Sequence, residues 1–309
     1  MNKAACRLTH AVLAAVLMVP VLGSAVHASE DPVAEGERLM AEGNPKKALK
    51  AFEKAGGSGE ALVGVAWANN ELGKRDKAAE AARKAAAASA DPAVTARANY
   101  QLGVALLGDG GDGKDSSGLA GAAEAFKKAL EPAGAENRAR IGLASVAMRQ
   151  NDPGQALAQA REYLAQDPAS ADSKEARKLL CRAKQLAPAG TPAASTVAAA
   201  SLSDAKPQMI DQPSPNFSDK ALRKAQGTKL TVKAMIDEEG CLKDVKVEGA
   251  TPEVNTLMVA VVERWVFQPG RQGGRPVAWP ILTEYLIAEP RDKGMPRDMY
   301  RPIHQAPSQ

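Results

Sequence analysis

Between Asp31 and about Ala187 the chain writes one short pattern several times, and a chain that repeats itself at a helical-hairpin period has few folds open to it. Gly43-Asn-Pro-Lys-Lys-Ala48-Leu-Lys-Ala-Phe52-Glu-Lys-Ala55 returns as Gly73-Lys-Arg-Asp-Lys-Ala78-Ala-Glu-Ala-Ala82-Arg-Lys-Ala85 and again as Ala122-Ala-Glu-Ala-Phe126-Lys-Lys-Ala129. A fourth copy ends Ala156-Leu-Ala-Gln-Ala160-Arg-Glu-Tyr163-Leu-Ala-Gln-Asp-Pro168. The equivalent positions Phe52, Ala82, Phe126 and Ala160 are 30, 44 and 34 residues apart, close to the period of about 34 residues of stacked helix pairs once one insertion is allowed. Ala48, Ala78, Ala122 and Ala156 let one helix lie tightly on its partner while Phe52 and Phe126 fill the space beside it, so no repeat buries its apolar face alone. In the first helix of each pair, Leu102-Gly103 supplies a Gly for close approach, whereas Val65-Ala66 and Leu143-Ala144 supply Ala. Aromatic residues make up only 4% of the chain, which leaves the packing to Ala and Leu and favours helices over a large β core.

The small, large, small order of these second helices resembles the tetratricopeptide repeat family. That resemblance implies an all-α helical solenoid of three or four repeats over residues 29–187, with a groove for protein partners. The extra length of the third copy is Gly108-Asp-Gly-Gly-Asp-Gly-Lys-Asp-Ser-Ser-Gly118, where Asp109, Asp112 and Asp115 invite a calcium reading. Counting from Asp109, however, Ala120 stands where an EF-hand loop needs its bidentate Glu, so the segment is read as a solvated insertion. Ser170 to Leu186 reads as a terminal capping helix, with Ala176, Leu179, Leu180 and Ala183 inward and a polar outer face toward solvent.

Residues 1–28 have the layout of a cleavable secretory signal: Lys3 and Arg7, the apolar run Ala11 to Leu22, and Val26-His27-Ala28 before Ser29. The run, interrupted by Pro20, is too short for a bilayer core of about 30 Å, and Cys6 precedes it. Without this segment 38 basic residues (40 minus Lys3 and Arg7) face 36 acidic ones, a formal +2, which offers no footprint for nucleic acid. His304 is then the only histidine, and Cys181 and Cys241 are the only cysteines. A His-based triad or a His/Cys zinc site has almost nothing to be built from. The expectation is a non-enzymatic chain with no cofactor, no metal and no transmembrane span after cleavage.

Residues 188–206, rich in Pro, Ala, Ser and Thr, read as a flexible linker that leaves two modules free to move. Beyond it, Ser218 to Lys224 reads as a short helix. Lys229 to Ile236 alternates as a half-buried strand, and Asp237-Glu-Glu-Gly240 turns into a second strand, Cys241 to Val247. Thr251 and Pro252 open a helix running to Arg264, with the apolar stripe Val254, Leu257, Met258, Val261, Val262 and Trp265. It feeds Trp265-Val-Phe267, and a last strand, Val277 to Ile287, alternates again. Residues 291–309 read as a disordered tail.

Residues 207–290 resemble the TonB C-terminal domain family. The resemblance rests on the hairpin Val232 to Val247, on Arg264-Trp265-Val-Phe267-Gln-Pro269 and on Gly274-Arg-Pro-Val277. It implies a small α+β interaction module of the periplasm, one that binds an extended segment by strand addition at a sheet edge. The fold expected for the whole chain is therefore multidomain, an all-α tetratricopeptide-like solenoid followed by a small α+β TonB C-terminal-like domain. The expected function is a periplasmic scaffold binding protein or peptide partners of the cell envelope; the alternative is a component of TonB-dependent, energy-coupled transport across the outer membrane. Val277, Trp279 and Ile281 are the candidate partner-binding edge. Cys181 and Cys241 are a candidate interdomain disulfide, or else two buried thiols.

Overall fold

Prolines and short polar residues punctuate the first half of the chain, and they mark helix starts in the computed structural model, which describes residues 31–108, 116–131, 136–187, 204–216 and 219–287. The helices there are α1 (Pro32–Ala41), α2 (Pro45–Lys54), α3 (Gly59–Glu71), α4 (Arg75–Ala88), α5 (Pro92–Leu107), α6 (Ser116–Leu130), α7 (Ala139–Arg149), α8 (Pro153–Gln166) and α9 (Ser173–Leu186). Asp31, Ser58, Asp91 and Asp152 cap α1, α3, α5 and α8, accepting from the N–H groups of Val33, Ala61, Ala93 and Gln155 at 3.0, 3.2, 2.8 and 2.9 Å. Each cap satisfies a donor that the first turn leaves open. The exits repeat as well. Gly43, Gly73 and Asn151 follow α1, α3 and α7 with φ of 72°, 69° and 58°. The next residue's N–H returns to the helix in each case: Asn44 to Leu39 O and Lys74 to Asn69 O at 2.8 Å, and Asp152 to Ala147 O at 2.9 Å. This left-handed exit needs Gly, or an Asn that tolerates it.

Successive helices pack on one another, and α1, α3, α5, α7 and α9 also pack in series, so the odd-numbered helices line one face. Phe52 and Phe126 are almost wholly buried on the even-numbered helices α2 and α6. A methyl group at Gly36 or Gly64 would lie 2.4 or 2.3 Å from the Phe52 ring, and one at Gly103 or Gly142 would lie 2.6 or 2.4 Å from that of Phe126. Each ring is thus seated between two glycines on neighbouring odd-numbered helices. At Val65-Ala66 and Leu143-Ala144 the contact expected of the Ala falls two positions earlier, on Gly64 and Gly142.

The C-terminal region is small and carries the strands: β1 (Gln208–Asp211), α10 (Lys220–Lys224), β2 (Lys229–Ile236), β3 (Leu242–Glu248), α11 (Pro252–Val262), β4 (Val266–Gln268), β5 (Gly270–Gln272), β6 (Arg275–Val277) and β7 (Trp279–Leu286). An antiparallel sheet runs in the order β3-β2-β7, and β1–β4 and β5–β6 form separate antiparallel pairs. Leu230, Val232 and Ile236 of β2 point into a core closed by Val254, Met258 and Val262 of α11 and by Trp265, Phe267 and Tyr285. Trp265 and Tyr285 meet at 5.9 Å between ring centres.

Two expectations change here. The strand expected from Val277 to Ile287 is broken at Ala278, because β6 pairs with β5 while Trp279 begins a new ladder opposite Ile236. Strand pairing also begins before residue 207: Ala205 and Arg271 exchange N–H···O bonds of 3.1 and 2.7 Å. The leader 1–28, the insertion acids Asp109, Asp112 and Asp115, linker residues 188–203 and the tail 291–309 lie outside the described residues. Among the described residues no helix is long and apolar enough to cross a membrane.

The seating of Phe126 makes a direct prediction. Phe126→Ala should lower stability by about 3–5 kcal/mol, read as a shift in the urea midpoint of the full chain. A change under about 1 kcal/mol would show that the ring does not hold α5, α6 and α7 together.

Candidate functional site

The two regions meet at α9. Cys181 of α9 is bonded to Cys241 at the start of the second hairpin strand, with Cα atoms 5.3 Å apart. Both are buried, in a cluster with Leu157, Leu164 and Leu180 of the helices and Val266 of β4. The hairpin turn expected at Asp237 to Gly240 is also the docking point. Arg161 of α8 grips Glu239 with two bonds of 2.7 and 3.2 Å. Lys184 of α9 donates to Asp237 at 2.7 Å and Glu239 at 2.6 Å. Asp237 accepts in addition from the N–H groups of Glu239 and Cys241 at 2.9 and 3.0 Å, which fixes the turn. The two modules are thus joined at α8 and α9 by a disulfide and a charge cluster as well as by the connecting chain. Burial works against the charged form of Glu239, but its hydrogen bonds from Arg161 and Lys184 outweigh it and hold the carboxyl below its ordinary range. Burial likewise opposes the Lys184 ammonium, and the bonds to Asp237 and Glu239 push its pKa up regardless.

The second surface is the outer edge of β7. Ile287 N donates to Thr228 O at 3.0 Å, and continuing that register makes Tyr285, Thr283, Ile281 and Trp279 the residues hydrogen-bonded to β2. The backbone groups of Pro280, Leu282, Glu284 and Leu286 therefore face the side that has no strand partner among the described residues. Pro280, which has no N–H, falls on the side where no ladder bond is lost. Of the candidate edge residues, Val277 lies on β6 opposite Gly270, while Trp279 and Ile281 pack their side chains against the core. The side chains turned outward belong to the alternate set, with Leu282 60% and Leu286 51% exposed.

The third surface is the face lined by the odd-numbered helices, where two clefts of about 170 and 250 Å³ share Arg138. Trp67 lines one and Tyr100 the other. Arg138 stands 4.8 Å over the Tyr100 ring and pairs with Glu136 at 2.7 and 3.1 Å. Arg97 pairs with Glu60 at 3.2 Å, and Asn70 donates to Gln101 Oε1 at 2.8 Å. Aromatic rings beside fixed guanidinium and amide groups suit an extended peptide, with apolar side chains on the rings and polar backbone at the rim.

Sequence reading missed Arg161, Lys184, Asp237 and Glu239 as a docking set. The available clue was complementary charge, an acidic turn against basic helices, although nothing local says that the two meet. Among the described residues no group of three or more His, Cys, Asp or Glu is placed to hold a metal ion. No protein-family model matches the chain, and no curated protein matches it.

Two predictions arise from the docking geometry. The bridge closes a 60-residue separation, so Cys181→Ser with Cys241→Ser should remove roughly 4 kcal/mol on the chain-entropy model, measured as a fall in the melting temperature that dithiothreitol reproduces in the parent. Glu239 has a depressed folded pKa, so its stabilisation is complete above its ordinary value of 4.5 and is lost as pH falls below that, through the folded value. Glu239→Gln should cost on the order of 1–3 kcal/mol at pH 7 and flatten the acid limb; an unchanged limb would assign the acid sensitivity to other carboxylates.

Proposed function

We propose that this chain is an exported, non-enzymatic scaffold of the periplasm. Its helical part serves as a tetratricopeptide-like solenoid that takes an extended segment of one partner in the Trp67–Tyr100–Arg138 groove. Its strand-containing part serves as a TonB C-terminal-like module that adds a strand of a second partner to β7. The observation that carries this reading is the outer β7 edge, which pairs with no other strand among the described residues and lies beside exposed Leu282 and Leu286. Backbone bonding there supplies affinity, and the alternate side chains choose the peptide. The Cys181–Cys241 bridge supports an oxidising compartment, in keeping with the signal-like residues 1–28.

The open edge also favours the second reading, a role in energy-coupled uptake across the outer membrane. Deletion that leaves such uptake unchanged sinks that reading while leaving the scaffold intact.

The scaffold is tested by capture from envelope extracts with the parent chain and two variants. Glu284→Pro removes an outward N–H and spares the β2 ladder, so it should keep the fold by circular dichroism and lose the strand-adding partner at least tenfold. Trp67→Ala should lose a different, groove-bound partner. No capture by the parent, or identical capture by all three chains, defeats the proposal.

A further inference from the structure

Among the described residues that meet at the α9 seam, the cations Arg161, Lys174, Arg177, Lys178, Lys184 and Arg271 face the ion-paired carboxylates Asp211, Asp237 and Glu239, six against three. The carboxylates are taken. Glu239 is held by Arg161 and Lys184, Asp237 by Lys184, and Asp211 by Lys174 and Lys178 at 3.5 and 3.0 Å. The cations without a carboxylate are the most deeply placed: Arg177 is 6% and Arg271 9% exposed. Arg177 has only two backbone carbonyls, Glu239 O and Pro168 O, each at a long 3.3 Å. Arg271 has Gly274 O at 3.1 Å, and its Nε is buried with no acceptor among the described residues. Arg271 lies close enough to disfavour the charge on Arg177: burial first, then Arg271, push Arg177 down to about 10, against the pull of Glu239. Pro188 to Ser203, the segment joining the two regions, contains no Asp or Glu, and Asp204, the next residue, accepts from Gly274 N at 3.4 Å without pairing with either arginine.

We propose that Arg177 and Arg271 form a binding site for one small oxyanion, of the carboxylate, phosphate or sulfate class, at the seam between the helical and strand-containing regions. An anion with two terminal oxygens on one centre suits it because a guanidinium offers paired, parallel donors, and the open Nε of Arg271 is one of such a pair. The anion supplies the acceptor that Nε lacks and screens the two guanidiniums from each other. Because Arg177 belongs to α9 and Arg271 to β5, the bound anion also ties the two regions together. This assignment is independent of the scaffold reading.

The test is thermal melting and calorimetric titration of the oxidised full chain with inorganic phosphate, sulfate and acetate, against chloride at constant ionic strength. A short peptide with a free C-terminus, compared with its amide, separates a partner's carboxylate from a free inorganic ion. At least one of the anions should bind with one-site stoichiometry and raise the melting temperature by roughly 2–5 °C at tenfold excess over its dissociation constant. Arg177→Gln should abolish the response. Arg271→Lys, which keeps the charge and loses the fork, should weaken binding about tenfold or more, and Lys246→Gln on the outer sheet face should leave it intact. Equal responses in parent and Arg271→Lys, or none from any anion, overturn the proposal. So does a response that appears only when Glu289, Asp292 and Asp298 of the tail are changed to amides, because the occupant is then internal.

Discussion

The docking of the Asp237–Gly240 turn onto α8 and α9 is the contact on which the rest depends, because it converts a stack of helices and a small sheet into one body. The disulfide limits how far they separate, the cluster around Leu180 and Val266 removes apolar surface from water, and Arg161 and Lys184 set the orientation. These terms do different work. A partly buried ion pair returns little net energy once desolvation is counted, so the apolar contact and the cross-link hold the regions together while the charges specify how they sit. Gly240 belongs to the same device, since a Cβ there would lie 1.9 Å from Phe267 O; only glycine lets β4 come that close.

Much of the helical half is legible in residues that act locally. Asp-Pro and Asn-Pro pairs start helices, Gly43 and Gly73 end them, and the small, large, small pattern places Phe52 and Phe126 at the contacts between pairs. The details that escape depend on neighbours. Gly64 and Gly142, not the Ala residues beside Val65 and Leu143, receive the Phe rings. The outer face of α9 was legible as polar but not as covered. Arg177 is buried there, beside the Cys181–Cys241 bridge, because of a sheet that arrives 60 residues later in the chain.

The candidate binding edge shows the same division. Alternation along residues 277–287 gives the period of the strand but not which set turns outward to a partner. Pairing with β2 decides that, and it turns Leu282 and Leu286 outward and Trp279 and Ile281 inward. Similarly, Asp237, Glu238 and Glu239 read as an ordinary turn, yet two of the three are ion-paired across the seam while Glu238 stays exposed.

Pro280 has a consequence for solubility. An eight-residue edge strand carrying exposed leucines is a template on which copies of the chain could stack sheet to sheet. With no N–H at Pro280, the free side offers donors only at Leu282, Glu284 and Leu286, and Glu284 sets a negative charge in the middle of that row. A growing ladder would bring like charges together and stop at the proline, whereas a single short peptide can avoid both. The edge is therefore graded by length, open to a brief visitor and closed to polymerisation.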